Sequence, residues 1–147
     1  GGSLGLMGEL SKSVHRNKGE VLGVIPENLL KIEGINKNHG EIIITNDMHK
    51  RKKTMYENAD AFLCLPGGIG TLEEVSETIT WFQLKISRKP IFFLNINGYW
   101  NNFRVLLEQF VSLEFSDQDL LNYLNFFESV ETLIPSLLSS LDIPSKE

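Results

Sequence analysis

The sequence predicts a three-layer α/β domain built on a parallel sheet, and three observations carry that expectation. Short apolar runs alternate with amphipathic stretches along the whole chain. The runs VLGVI, AFLCL and IFFLNI are apolar almost throughout rather than alternating, which marks strands covered on both faces. Glycine-rich turns stand where a strand gives way to a helix. Together these make the fold Rossmann-like, and in such sheets ligands bind beyond the carboxyl ends of the strands.

Taken in order, Gly1 to Gly5 reads as a small-residue loop and Leu6 to Arg16 as a helix. Val21 to Ile25 is a buried strand ended by Pro26. Asn28 to Gly40 mixes polar residues with glycine and reads as a loop, followed by a strand from Ile42 to Thr45. Asp47 is placed to cap a helix running to about Asn58. Ala61 to Leu65 is the next strand, and a helix starts near Thr71. That helix has a core stripe of Leu72, Val75, Ile79, Phe82 and Ile86. Pro90 introduces a strand, and Trp100 to Val111 is helical with Phe103, Leu106, Leu107 and Phe110 on one face. Asp117 and Asp119 resemble helix-cap chemistry. Phe126-Phe127 reads as a last short strand and Val130 to Leu141 as a closing helix. The whole of 1–147 reads as one domain. A strand-loop-helix unit needs a strand before Gly1, so the stretch reads as lacking an N-terminal segment.

Composition narrows the function. There are 14 Lys and Arg against 19 Asp and Glu, a formal charge of −5, in a chain of 147 residues. That balance argues against sequence-independent nucleic-acid binding but not against a local pocket for one phosphorylated small molecule. The single cysteine, Cys64, leaves no internal disulfide and no cysteine-based zinc site. It lies inside an apolar strand and reads as a core residue. No apolar run approaches the ~20 residues that span a bilayer. No secretory leader is visible, so the expected location is the cytoplasm. His15, His39 and His49 read as solvated, and no histidine is spaced with carboxylates for a metal.

The chemistry concentrates in two glycine loops. Pro66-Gly67-Gly68-Ile69-Gly70-Thr71 lies between a strand and a helix. Glycines permit positive φ and let backbone N–H groups approach an anion, and the following helix adds its unpaired N–H groups and positive dipole end. Thr71 either caps the helix or donates its hydroxyl to a phosphate. Gly1-Gly2-Ser3-Leu4-Gly5 forms a second such turn. Neither loop has the GK[ST] ending of a Walker A or the GxGxxG spacing of a dinucleotide fingerprint.

Charged residues near these loops need separate readings. Met48 and Met55 lie on one stripe of the 47–58 helix, and the spacing turns at least one of Arg51 and Lys52 toward it. Lys50, Lys52 and Lys53 fit snorkelling surface cations; for Arg51 a surface guanidinium and a buried, partnered one fit equally. Glu73 reads as a dipole partner in a first helical turn. Glu74, Glu77 and Trp81 form a polar stripe beside the core. A carboxylate at Glu74, close to an anion site, suits a sugar-hydroxyl acceptor or a stabiliser of positive charge.

Three segments resemble the Lonely Guy (LOG) family: Asp47-Met48-His49-Lys50-Arg51-Lys52, Ala59-Asp60-Ala61-Phe62, and Leu65-Pro66-Gly67-Gly68-Ile69-Gly70-Thr71-Leu72-Glu73-Glu74. Its signature is a PGGxGTxxE loop with an upstream MxxRK. Ile79 to Leu84, Asn97-Gly98-Tyr99-Trp100 and Gly1 to Gly8 are also similar to that family. The resemblance runs from Gly1 to about Glu114 and is loose beyond. It implies a Rossmann-like fold, from which this stretch departs by lacking an N-terminal strand, helix and second strand, a homodimer with its site near the interface, and hydrolysis of the N-glycosidic bond of cytokinin riboside 5′-monophosphates or AMP. It implies Arg51 and Glu74 as catalytic residues, and Gly2, Ser3, Met48, Lys52, Gly67, Gly68, Gly70, Thr71 and Glu77 as substrate-binding residues. Neither a metal nor a redox cofactor is implied. Some relatives carry a lysine decarboxylase label, a reaction that needs pyridoxal phosphate on a positioned lysine, and no loop of that kind is evident. The alternative is a non-catalytic nucleotide-binding module on the same fold. Arg51 and Glu74 together favour the enzyme, because a binder needs the glycines but not that pair.

Overall fold

The computed structural model describes residues 5–33 and 40–142. They divide into two compact units, one ending at Ala59 and one beginning at Asp60. Each is a parallel sheet with flanking helices, so the α/β class and the parallel strands are as expected.

The first unit contains α1 (Gly5–Arg16), β1 (Leu22–Pro26), α2 (Glu27–Glu33), β2 (Glu41–Thr45) and α3 (Met48–Asn58). β1 and β2 pair in parallel from Leu22 with Glu41 to Pro26 with Thr45. Helix α2 replaces the start of the expected loop 28–40, and 34–39 lie outside the described residues. Its residues, ENLLKIE, are good helix formers, and Glu27 complements the dipole in the first turn. The glycines and asparagines that follow obscure this short helix in the sequence. Helix α3 begins as expected, with Asp47 Oδ1 accepting from the Lys50 N–H at 2.7 Å.

The second unit contains β3 (Phe62–Cys64), α4 (Ile69–Gln83), β4 (Ile91–Leu94), α5 (Asn101–Ser112), α6 (Asp119–Tyr123), β5 (Leu124–Phe127) and α7 (Val130–Ser140). The strands run in parallel in the order β3-β4-β5. β4 is central and wholly buried, with Ile91 and Phe93 at 0%, Phe92 at 2% and Leu94 at 8% exposure. Ile91 and Phe93 join Cys64, Val75, Ile79 and Leu107 on one face. Phe92 and Leu94 meet Leu133 and Leu137 of α7 on the other. This unit alone is therefore helix, sheet, helix.

The helix ends correct the sequence reading. α4 starts at Ile69, two residues before Thr71, and Ile86 is 63% exposed beyond its end. There the Lys85 N–H donates to the Phe82 carbonyl and the Ile86 N–H to the Trp81 carbonyl, both at 2.9 Å. That pair of bonds is a Schellman motif, which turns the chain out of the helix. α5 ends the same way through Glu114 and Phe115, and α1 through Lys18 and Gly19. Each motif places a non-glycine residue at positive φ: Lys85 at 59°, Glu114 at 62° and Lys18 at 60°. With no glycine at the turning position, the sequence lacks the usual stop signal. On α5 the core stripe is Phe103, Leu107 and Val111, whereas Leu106 and Phe110 are exposed. Asp119 sits in the first turn of α6 behind an N-cap Gln118, so it complements the dipole rather than capping.

Glu114→Gly is expected to raise the unfolding free energy by about 0.5–1 kcal/mol, because glycine relieves the left-handed backbone at slightly greater chain entropy. Denaturant unfolding checks this; a less stable variant would show that the Glu114 side chain outweighs its backbone strain.

Candidate functional site

The PGG loop leaves β3 at its carboxyl end and enters α4 with Gly68 as the N-cap residue. No side chain caps this end. The first N–H groups of a helix have no partner within it, so they present donors and a positive dipole end at the loop. The expected reason for the glycines needs correction. Gly67, Gly68 and Gly70 do not adopt positive φ; among the described glycines only Gly5, Gly40 and Gly98 do. Gly67 is demanded by packing, since a Cβ there would stand 2.8 Å from Thr71 Cβ. At Gly68 and Gly70 a Cβ would meet nothing within 4 Å. Those two positions leave open space beside the helix N-terminus, where packing asks for no glycine.

Thr71 folds over Gly67 and is half-buried. Glu74 lies three residues after Thr71 and four after Gly70, and Glu77 three further on, so the four share one helix face. Glu74 and Glu77 are half-buried, while Glu73 is exposed. Because α4 begins at Ile69, Glu73 falls past the first turn, and the dipole role expected of it is weak there. Burial pushes the Cys64 thiol up to about 12 from 9.0, and the nearby Glu74 carboxylate adds to the rise. Cys64 is a buried, protonated core residue, as expected. Tyr99 was given no role by the sequence; its hydroxyl donates to the Gly67 carbonyl at 2.5 Å. The NGYW segment is the only signal that could have pointed to it.

In the first unit, α3 carries Met48, Arg51 and Lys52. Arg51 and Lys52 are half-buried, whereas Lys50 and Lys53 are exposed, as the spacing implied for at least one cation. Arg51 Nε donates to the Val24 carbonyl of β1 at 3.2 Å, which decides for the partnered guanidinium and fixes its plane. Met48 is exposed. A hollow of about 290 Å³ beyond β2, lined by Thr45, Asp47, Lys50 and Thr54 among others, takes in none of Met48, Arg51 and Lys52. Gly2 and Ser3 lie outside the described residues. His15 and His49 are exposed, and His39 also lies outside the described residues. Among the described residues no group of three or more His, Cys, Asp and Glu is placed to hold a metal ion. No helix among them is long and apolar enough to cross a membrane.

A family model described as "Possible lysine decarboxylase" matches residues 7–137. The chain belongs to this family. Among its curated relatives, a cytokinin riboside 5′-monophosphate phosphoribohydrolase of Arabidopsis thaliana is 50% identical over 111 residues, covering 76% of this chain and 51% of the relative. Another from the same plant is 47% identical over 111 residues, 76% of this chain and 49% of the relative. The rice enzyme of that name, from Oryza sativa subsp. japonica, is 45% identical over 119 residues, 81% of this chain and 49% of itself. These relatives bear the LOG name, as the resemblance implied. The chain spans about half the length of these curated relatives. The family model runs through both units and past Glu114 to residue 137, further than the motifs alone reach.

Two tests separate fold from site. Gly70→Ala is expected to raise stability by about 0.5–1 kcal/mol, as alanine does in a helix, yet to weaken binding of a phosphate ester. Gly67→Ala is expected to lower stability. Thermal melts with ribose 5-phosphate titrations check both, and unchanged binding in Gly70→Ala would show that the open space takes no ligand. Cys64 is expected to resist iodoacetamide at pH 8 when folded and to react in guanidinium. Since its folded pKa exceeds its unfolded value, its contribution to stability is complete below pH 9 and is lost as the pH rises toward 12. Rapid alkylation of the native protein would contradict the burial.

Proposed function

We propose that this protein is a nucleoside 5′-monophosphate phosphoribohydrolase, which cleaves cytokinin riboside 5′-monophosphates, AMP or both to the free base and ribose 5-phosphate. The carrying observation is the half-buried Glu74 on the same helix face as Gly70 and Thr71, at an uncapped helix N-terminus. The names of the relatives agree with this reading.

In this mechanism the loop N–H groups of Gly68 and Gly70 and the Thr71 hydroxyl hold the 5′-phosphate, with Gly2 and Ser3 adding donors. Phosphate binding orients the ribose for reaction. The C1′–N bond breaks with its electron pair leaving on the base, which takes up a proton, and water oxygen bonds to C1′. Positive charge grows on the ribose as this happens, as in other glycoside hydrolyses. Glu74 stabilises that charge and holds ribose hydroxyls, with Glu77 as a second carboxylate. Arg51 binds the phosphate or the leaving base, or orients Glu74; its work is electrostatic, since a guanidinium with a pKa above about 12 does not release its proton readily. Met48 and Lys52 complete the substrate contacts. We also propose that 1–147 belongs to a single LOG-type domain, of which it lacks an N-terminal part, in a cytoplasmic homodimer; the span of the family match supports the single domain. The net charge of −5 supports a small nucleotide rather than a nucleic acid as the partner.

Glu74→Gln and Arg51→Ala are each expected to lose at least about 100-fold in turnover while keeping the fold, since each removes an electrostatic contribution to the transition state. Glu73→Gln is expected to change turnover less than about threefold, as an exposed side chain beyond the first turn. Chromatography of products from AMP and from isopentenyladenosine monophosphate reads both the activity and the base preference. Binding of both nucleotides without cleavage by the wild type would leave a nucleotide-binding module in place of the enzyme.

A further inference from the structure

We infer that Tyr99 is a positioning residue of the glycine loop: its hydroxyl latches the Gly67–Gly68 peptide so that the Gly68 N–H faces the bound phosphate. The inference rests on the reading of this loop as a phosphate cradle. In a trans peptide the C=O and N–H point in opposite directions. The Tyr99 hydroxyl holds the Gly67 carbonyl at 2.5 Å, and so fixes where the Gly68 N–H points. This peptide has glycine on both sides, so no Cβ opposes its rotation. Flipped, it would turn a carbonyl oxygen toward the anion. The latch blocks that flip, and by drawing on the carbonyl it also strengthens the N–H as a donor.

Tyr99 is 51% exposed, yet the turn beneath it is fixed from the core. Asn95 is 6% exposed. Its Oδ1 accepts from the Trp100 N–H at 2.7 Å and its Nδ2 donates to Asn101 Oδ1 at 2.9 Å. The Asn95 N–H donates to the Phe127 carbonyl at 2.6 Å, and the Gly98 N–H to the Asn95 carbonyl at 3.0 Å. Gly98 has φ +69°, a conformation glycine tolerates best. The buried Trp100 ring stands edge-on to both Phe93 at 5.5 Å and Tyr99 at 5.2 Å. These bonds hold one phenol over one carbonyl, 32 residues away in sequence.

The test is Tyr99→Phe in the whole protein, which keeps the ring and removes the hydroxyl. Its dissociation constant for ribose 5-phosphate is expected to rise roughly three- to tenfold, the worth of one hydrogen bond, with affinity for adenine alone unchanged. In steady state, KM for the nucleotide rises and kcat holds, as for an interaction shared by ground and transition states. The Gly68 amide resonance shifts with ribose 5-phosphate in the wild type and less in the variant. Unchanged ribose 5-phosphate affinity overturns the latch, and so does an equal loss for adenine with a lowered melting temperature, which would mark a merely structural bond. A wild type that binds no ribose 5-phosphate overturns both the latch and the cradle; one that binds it while the variant binds equally overturns the latch alone.

Discussion

Ile91, Phe92, Phe93 and Leu94 reach water on neither face of their sheet. Four successive buried residues on a strand put apolar side chains on both sides, because neighbouring Cβ atoms point in opposite directions. Each aromatic ring contributes about 1.5–3 kcal/mol when buried, so neither face can be left uncovered. Helices α4 and α5 supply one cover and α7 the other. A parallel strand pair also needs a crossover between its members. The chain must therefore leave β3 at the carboxyl edge and enter a helix there. The place of the glycine loop is a consequence of the strand with the burial.

That constraint explains what was legible. AFLCL and the IFFL that opens the run around Phe93 carry no polar residue, so their strands could be read directly. Asp47 and its helix were legible because a cap is a local event between a side chain and an N–H three residues on. The C-terminal helix ends were not. Lys85 and Glu114 turn the chain at positive φ in bonds between carbonyls and N–H groups that no side-chain pattern reports. Ile86 thus looked like the last member of a core stripe and lies outside it. Leu106 and Phe110 fell out for a related reason: a helix with apolar residues on two adjacent rows offers two stripes, and the neighbouring core selected Phe103, Leu107 and Val111.

The glycine loop was legible by residue and less so by reason. Three glycines looked alike in the sequence and do different work in space. Gly67 makes room for Thr71, whereas Gly68 and Gly70 make room for nothing the described residues contain. A motif read as one object divides into a packing position and two open ones. Tyr99 escaped notice because a hydroxyl bonding to a carbonyl 32 residues away leaves no periodicity to find. The spacing turned at least one of Arg51 and Lys52 inward without saying which; the bond to the Val24 carbonyl shows Arg51 partnered.

The placement of Glu74 is hard to justify by binding alone. If this helix end holds a phosphate as proposed, the half-buried Glu74 on its face repels it, with less solvent to screen the charges than at an open surface. A protein that only held a nucleotide would do better with a neutral residue there. The cost is recovered if positive charge appears on the ligand during the event being catalysed, because the same carboxylate then attracts. A ribosyl group losing its base develops that charge, and a phosphate ester at rest does not. An interaction that is unfavourable in the ground state and favourable in the transition state accelerates the reaction between them. Under the proposed hydrolysis, Glu74 is placed where its repulsion and its attraction act on the same molecule at different moments.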